Sequence, residues 1–495
     1  MMGIDSPEKR NLGKINEMKV IKKEGHIMKK RNFLGLFLIV TMAAVVFTDT
    51  ISAQQEGIIT SSLLEKMRKS DIDQGKINAI SSNSIADLIL NRSNVGKVDH
   101  YFEVKLDIKG ITDQESSGRC WLFTSLNVIR QKAREKFNME SFEFSENYSF
   151  FWDQLEKSNL FLENIIKTRD KKNLDQKVRW LFQHPVSDGG VWNMAVGVIK
   201  KYGLVPKSGM PETYHSSHTR DMSSVLRKKL REDGIRLRQM HEQGKSEKEL
   251  RTAKEEMLID IYKILVFHMG VPPTEFTWRY KDKDGNISEP KTYSPLEFFQ
   301  ETVDVELNDY VMLMNDPTRD YNKLYEIEYY RDMVEGVNWK YINLPNEKLK
   351  EFAQKSLIDG EALYHACDVG KQLNREEGIL SLKNYDYEAL YGIKFDMNKK
   401  ERILTAGSGS SHGMALVGFG KDEEGKTIKW LLENSWGPSA GHKGYLTMTD
   451  EWFDEYTFRL VVHKRYVSPD VLKILETEPI LLEPWDPMFL PLEDK

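Results

Sequence analysis

The chain changes character near residue 290, and this change restricts the folds that it can adopt. Before that point apolar residues recur at helical spacing, as in Leu122, Leu126 and Ile129. After it, short runs rich in β-branched and aromatic residues are separated by Gly, Asn and Asp, a pattern typical of strands. The clearest runs are 310–313, 341–344, 415–419, 430–432, 445–448 and 458–462. Helices early and strands late predict an α+β fold with an antiparallel sheet, because βαβ units would alternate the two patterns.

The composition is ordinary for a soluble globular protein. Of the 495 residues, 40% are hydrophobic and 30% are charged, which excludes collagen-like, wholly disordered and polytopic membrane chains. The 71 Lys and Arg residues nearly balance the 76 Asp and Glu residues, giving a formal net charge of −5. No nucleic-acid partner is expected, because a surface that binds phosphates needs an excess of cations.

The first 53 residues have the layout of a secretory signal peptide. A short basic stretch, Met28-Lys29-Lys30-Arg31, precedes an uncharged apolar run, Phe33–Phe47, and small residues follow up to Ala53. The run is shorter than the roughly 20 residues that span a bilayer, so an uncleaved anchor is the weaker alternative. We therefore expect cleavage near Ala53, export to the periplasm or medium, and no stable membrane anchor afterwards. The start codon, Met1 or Met28, is left open.

Two further segments are expected to be helical. Residues 54–100 resemble an N-terminal arm with one or two helices. Residues 222–262 carry dense mixed charge around regularly spaced leucines, which predicts a pair of exposed helices broken near Gly234 or Gly244.

Cys120 is the strongest candidate nucleophile. It opens a helical pattern, and a helix N-terminus stabilises a thiolate. The amide of Gln114, six residues earlier, together with the Cys120 N–H could form a two-donor oxyanion pocket. Gly118 allows the chain to approach closely there. Each feature alone is also consistent with a core cysteine.

A base and its orienting partner occur late in the chain. His412 begins a predicted strand, and Asn434 follows the next strand 22 residues later. Adjacent antiparallel strands would place the two side chains together, so that Asn434 fixes the imidazole tautomer. Trp436 would shield that hydrogen bond from water. The order of Cys, His and Asn-Ser-Trp-Gly, with a preceding Gln, favours nucleophilic catalysis.

Three competing chemistries are weaker. The two cysteines, Cys120 and Cys367, could form one disulfide in an exported protein, although Cys367 fits a buried apolar site better. The segment 409–413 spells G-x-S-x-G, but a loop precedes it and a strand follows, whereas a serine-hydrolase elbow needs a strand and then a helix. No metal site is expected, because the spacing of His, Cys and Glu residues matches no metal motif.

These residues lie in longer blocks that resemble papain-like cysteine peptidases, and more closely the bleomycin hydrolase and bacterial aminopeptidase C family. The blocks are 114–123 (QESSGRCWLF), 188–206 (DGGVWNMAVGVIKKYGLVP), 367–371 (CDVGK), 432–456 (LENSWGPSAGHKGYLTMTDEWFDEY) and 484–488 (PWDPM). The resemblance implies a papain-like fold with a helical left part and an antiparallel right part. It implies one peptidase domain over 54–495, with a helical insertion at about 215–290 and a C-terminal cleft tail at about 484–495.

The resemblance also implies roles for individual residues. Cys120 would be the nucleophile, His412 the general base, Asn434 the orienting residue and Gln114 the oxyanion donor. Substrate-binding residues would be Gly189, Gly190, Trp436 and the last residue, Lys495. The implied activity is removal of N-terminal residues from peptides, without a cofactor or metal, by a homohexamer whose tail blocks the non-primed end of the cleft.

The chain departs from the family at three points. Around the base it has Ser411-His412-Gly413-Met414 where the family has Thr-His-Ala-Met. Its predicted export contrasts with cytosolic relatives. Its tail, residues 489–495, is longer and bulkier than the usual ending, which leaves an endopeptidase as an alternative. A catalytically silent scaffold is the alternative from another class, although all four polar positions are intact.

Overall fold

The computed structural model describes residues 57–303 and 305–488. The predicted signal peptide and the end of the predicted tail, Lys495 included, lie outside the described residues. The chain divides at Ser81 and Ser82 into two units, of which the second holds nearly all of the structure.

The helices are α1 Ser61–Arg68, α2 Gln74–Ser82, α3 Ile85–Ile89, α4 Cys120–Lys136, α5 Glu146–Lys167, α6 Gln176–Gln183, α7 Trp192–Tyr202, α8 Tyr214–Ser217, α9 Arg220–Glu242, α10 Glu247–Met269, α11 Pro295–Thr302, α12 Asn346–Ile358, α13 Tyr387–Tyr391, α14 Lys399–Leu404, α15 Asp450–Tyr456 and α16 Pro469–Leu472. The first unit contains α1 and most of α2, so the arm predicted at 54–100 begins with helices. No helix among the described residues combines the length and apolar character needed to cross a bilayer.

The strands are β1 Val104–Lys105, β2 Phe276–Trp278, β3 Lys291–Tyr293, β4 Tyr310–Met314, β5 Lys323–Ile327, β6 Lys340–Asn343, β7 Leu363–Cys367, β8 Leu373–Asn374, β9 Ile379–Leu380, β10 His412–Lys421, β11 Thr427–Glu433, β12 Tyr445–Thr449, β13 Thr457–His463 and β14 Ile480–Leu482. All six runs predicted as strands are strands, and helices dominate before residue 290. The α+β prediction is therefore confirmed.

Twelve strands form one sheet in the order β14-β5-β6-β4-β13-β7-β10-β11-β12-β9-β8, with β1 beside β10. From β4 to β12 along this order, neighbours are antiparallel as predicted. The outer pairs β4–β6, β5–β14 and β9–β12 are parallel, which the sequence analysis did not predict. The chain between these partners is long enough for a crossover, which parallel pairing requires.

The charged helices α9 and α10 are less exposed than predicted. Leu226, Leu230 and Ile261 are fully buried, because these helices pack against α5. The break lies at Gly244, which adopts a left-handed conformation with φ of +80°. Gly234 instead lies inside α9, where its missing side chain leaves room for the rings of Phe161 and Phe182.

Candidate active site

Cys120 is the first residue of α4. The first N–H groups of a helix have no acceptor within the helix, so the Cys120 N–H is a donor at the site of the thiol. Cys120 is partly exposed and Cys367 is fully buried, and both thiols are free. The disulfide alternative is therefore wrong, and Cys367 packs as an apolar residue.

His412 and Asn434 meet at the ends of two neighbouring strands. His412 begins β10, and Asn434 directly follows β11, its antiparallel partner. The His412 Nε2 lies 2.8 Å from the Asn434 Oδ1. Because the Asn434 oxygen accepts, Nε2 carries the proton and Nδ1 is left to act as a base. The Trp436 ring lies 4.9 Å from the imidazole, centroid to centroid, and covers this pair.

The strand that carries His412 packs against the helix that carries Cys120, and Gly413 lies at the contact. A Cβ atom at Gly413 would lie 3.2 Å from Thr124 Oγ1 and 3.6 Å from Trp121 Cα. The departure from the family at Gly413 thus lies at the contact between β10 and α4. Cys120 and His412 line one cavity of about 300 Å³. The G-x-S-x-G segment is a loop followed by β10, so it lacks the context of a serine-hydrolase elbow.

Gln114 is held in place by both ends of its amide. Its side-chain Oε1 accepts from Ser435 Oγ at 2.7 Å, and its backbone N–H donates to the backbone oxygen of Ser435 at 2.9 Å. Its Nε2 donates to Ser117 O at 2.6 Å. One of the two amide protons is therefore already engaged, and the second remains for a ligand.

The Gly189–Gly190 segment is fixed against the indole of Trp121. The Trp121 Nε1 donates to Asp188 O at 2.8 Å, and a Cβ at Gly190 would lie only 2.6 Å from the ring. Gly189 is already bonded at both backbone groups: its N–H donates to Ser187 Oγ at 3.0 Å, and its carbonyl accepts from Lys157 Nζ at 2.7 Å. Both backbone groups of Gly189 are thus engaged within the protein, and substrate binding by Gly190 stays a prediction.

Burial acts against both charges of a thiolate–imidazolium pair. It raises the pKa of the Cys120 thiol, although the N–H groups of Gly413 and Trp121 lower it. It lowers the pKa of His412 to about 4, against the effect of Asn434. Taken separately, the two groups therefore favour their neutral forms, a thiol and an uncharged imidazole. Transfer of the proton from sulfur to imidazole would create opposite charges within one cavity, where each would stabilise the other.

The C-terminal tail reaches the same cavity. Met488, which is only 3% exposed, lines the cavity together with Cys120 and His412. Two residues earlier, Asp486 forms an ion pair with Arg319 and accepts from the Met488 N–H at 3.1 Å.

Three contributors to the site were not singled out from the sequence. Lys157 supports Gly189, the Asp188 carboxylate accepts from the Gly118 N–H at 2.9 Å, and Arg119 lies behind the nucleophile. Asp188 directly precedes Gly189 and Arg119 directly precedes Cys120. This adjacency is the sequence signal that could have identified them. Lys157 forms an i,i+4 pair with Asp153 on α5, a spacing that is common on any helix. In the described part of the chain no cluster of His, Cys, Asp and Glu could hold a metal.

A buried carboxyl group adjoins the orienting residue. Glu433 is 1% exposed and faces the guanidinium of Arg130. Burial raises the pKa of Glu433 from 4.5 to about 7, although Arg130 lowers it. Its protonation therefore changes within the physiological range.

We expect the Glu433→Gln variant to lose a pH dependence of stability that the wild type has between about pH 4.5 and 7. In this range the folded state keeps a proton that the unfolded chain has released, so the free energy of unfolding falls as the pH rises. The difference in Tm, wild type minus variant, should decrease from about pH 5 to about pH 8. The exposed Glu451→Gln is the matched control. A difference that stays constant for Glu433→Gln would contradict the assignment.

Comparison with known proteins places this geometry in a family. Residues 58–489 match the Peptidase C1-like family. Bleomycin hydrolase of Rattus norvegicus is 41% identical over 422 residues, covering 83% of this chain and 93% of that protein. Aminopeptidase C of Streptococcus thermophilus is 40% identical over 413 residues, covering 83% of this chain and 93% of that protein.

A solved structure agrees in fold. The crystal structure of PepW from Lactobacillus rhamnosis HN001 is similar with a TM-score of 0.85 and 36% identity, covering 88% of this chain and 99% of that one. The chain therefore belongs to the Peptidase C1-like family and has a papain-like fold.

Proposed function

We propose that this protein is a cysteine aminopeptidase that hydrolyses peptides through a thioester on Cys120. The observation that carries the proposal is the cavity that Cys120 shares with His412, whose Nε2 is bonded to Asn434. The similarity to proteins named Aminopeptidase C supports the choice of an aminopeptidase.

The reaction proceeds in two halves. The Cys120 sulfur attacks the peptide carbonyl carbon while its proton passes to His412 Nδ1. The Cys120 N–H and the second Nε2 proton of Gln114 stabilise the oxyanion. The intermediate expels the amine, which takes the proton from His412, and leaves a thioester. His412 then deprotonates a water that attacks the thioester, and the acid product and the Cys120 thiol are released.

The Cys120→Ala variant should lose at least roughly 10⁴-fold in kcat/KM on an aminoacyl amide substrate, because no other group can form the thioester. Cys367→Ala is the matched control for loss of a thiol: this buried residue pairs with His412 across β7 and β10 but does not line the cavity, so its loss should cost far less turnover than that of Cys120. Circular dichroism checks that both variants fold. Hydrolysis retained by folded Cys120→Ala would overturn the proposal and favour the scaffold alternative.

The Asn434→Ala variant should weaken hydrolysis by less. A hydrogen bond to a charged group contributes about 1.5–3 kcal/mol, which corresponds to roughly a 10- to 150-fold loss in kcat/KM. The measurement is kcat/KM as a function of pH for Asn434→Ala and the wild type, with the loss in Cys120→Ala as the reference for complete inactivation. A loss as large as that of Cys120→Ala, or no loss at all, would contradict the orienting role.

The position of the tail favours cleavage from the N-terminus of a peptide. Met488 occupies part of the cavity, so a substrate that begins near Cys120 fits better than one that continues past the tail. We expect N-acetylation of a short peptide to lower kcat/KM by roughly tenfold or more, an energy of about 1.4 kcal/mol. A chain ending at Met488 is the control for the contribution of residues 489–495. Equal cleavage of free and acetylated peptides by the full chain would favour the endopeptidase alternative.

Export and assembly complete the proposal. The basic residues 29–31 and the apolar run 33–47 support export with cleavage near Ala53. Assembly into a homohexamer is proposed from the family resemblance in the blocks around Cys120 and Asn434.

A further inference from the structure

The residue before the nucleophile is a fully buried arginine. The side chain of Arg119 is 0% exposed and its guanidinium lies over the rings of Phe123 and Phe150, at 5.0 and 5.4 Å from their centroids. A buried charge is costly unless an opposite charge and hydrogen bonds compensate it. Such a residue therefore depends on its partners.

Those partners lie at the start of the helical insertion. The Arg119 Nη1 is 3.0 Å from a carboxylate oxygen of Glu212. Burial raises the pKa of Glu212, but Arg119 and Lys207 outweigh it and hold the pKa below its usual value, so Glu212 is a carboxylate at neutral pH. Ser216 donates a further hydrogen bond to this carboxylate. The anion is thereby fixed on the side facing Arg119.

Arg119 is connected to Gln114, the proposed oxyanion donor, through Ser117. The Arg119 Nε donates to Ser117 Oγ at 3.1 Å. The same hydroxyl donates to Gln114 O at 2.6 Å, and Ser117 O accepts from Gln114 Nε2 at 2.6 Å. Hydrogen bonds thus run from Glu212 through Arg119 to the Ser117 hydroxyl and on to the main-chain carbonyl of Gln114. The main-chain carbonyl of the same serine accepts from the Gln114 side-chain amide, so the position of Ser117 sets the position of that amide.

We propose that Arg119 and Glu212 are positioning residues that hold Gln114 in the orientation required to donate to the oxyanion. This inference rests on the proposed function and assigns a role to the insertion that follows the Gly189–Gly190 segment. The two residues act through Gln114 and do not touch the substrate. Their effect should therefore appear in kcat and leave KM unchanged.

The test is a double-mutant cycle between Glu212→Gln and Gln114→Ala. Glu212→Gln should lower kcat roughly 10- to 100-fold, part of the loss caused by removing an oxyanion donor. In the Gln114→Ala background it should cause no further loss, because the group that it positions is absent. Independent, multiplicative losses would overturn the proposal.

Two thiol reagents separate positioning from general damage. A peptide aldehyde forms an oxyanion on Cys120, so Glu212→Gln should weaken its binding by the same factor as kcat. Iodoacetamide alkylates Cys120 without an oxyanion, so its rate should stay at the wild-type value. A slower alkylation would show that the nucleophile itself is disturbed and would overturn the proposal.

Controls address folding. Glu163→Gln removes another buried carboxylate, one paired with Arg251 and Lys254, and should leave kcat unchanged. If Glu212→Gln does not fold, Ser117→Ala removes the hydroxyl that links Arg119 to Gln114. This variant should weaken the binding of the peptide aldehyde and leave the rate of alkylation by iodoacetamide unchanged. Unchanged aldehyde binding in Ser117→Ala would overturn the inference. If Cys120→Ala is inactive and Glu212→Gln keeps the wild-type kcat, this inference is wrong and the proposed function stands. If Cys120→Ala is active, the proposed function itself is wrong.

Discussion

The contact between β10 and α4 determines the site, because it brings together residues that are nearly three hundred positions apart. Gly413 lies at this contact, where an added Cβ would be 3.6 Å from the Trp121 Cα, an ordinary van der Waals distance. Trp121 also fixes the segment 188–190, since its indole packs against Gly190 and donates a hydrogen bond to the Asp188 carbonyl. The same ring receives the ammonium of Lys157 at 5.1 Å. One aromatic side chain thus fixes α4 relative to the Gly189–Gly190 segment.

Charge pairs reinforce this packing around α4. Arg119, directly before α4, and Arg130, inside it, are both buried and face Glu212 and Glu433 from other parts of the fold. Burying ions is costly, and such pairs often contribute little net stability. Removing one partner, however, leaves the other charge uncompensated, so the geometry of the paired state is strongly preferred. The ion pairs therefore restrain the orientation of α4, in addition to the packing contacts that set its position.

Much of this arrangement could be predicted from the sequence, because its signals are local. Periodicity predicted α4 and the central strands, and two strands joined by a short turn predicted that His412 and Asn434 meet. The remaining features depend on tertiary contacts. Gly234 resembles a helix break in sequence, but two rings packed against α9 require a glycine there. The hydrogen bond from Lys157 to Gly189 links separate segments whose spacing follows no pattern. Parallel pairing of the outer strands likewise depends on crossovers that no single segment encodes.

The ion pair of Asp486 with Arg319 has a mechanical consequence for the tail. Arg319 is itself bound to Asp316 beside the sheet, so the anchor is part of the folded body. Met488 follows Asp486 by two residues, a contour length of at most about 7 Å. A tether this short fixes the entry point of the chain into the cavity. The location of Met488 is therefore independent of how many residues come after it.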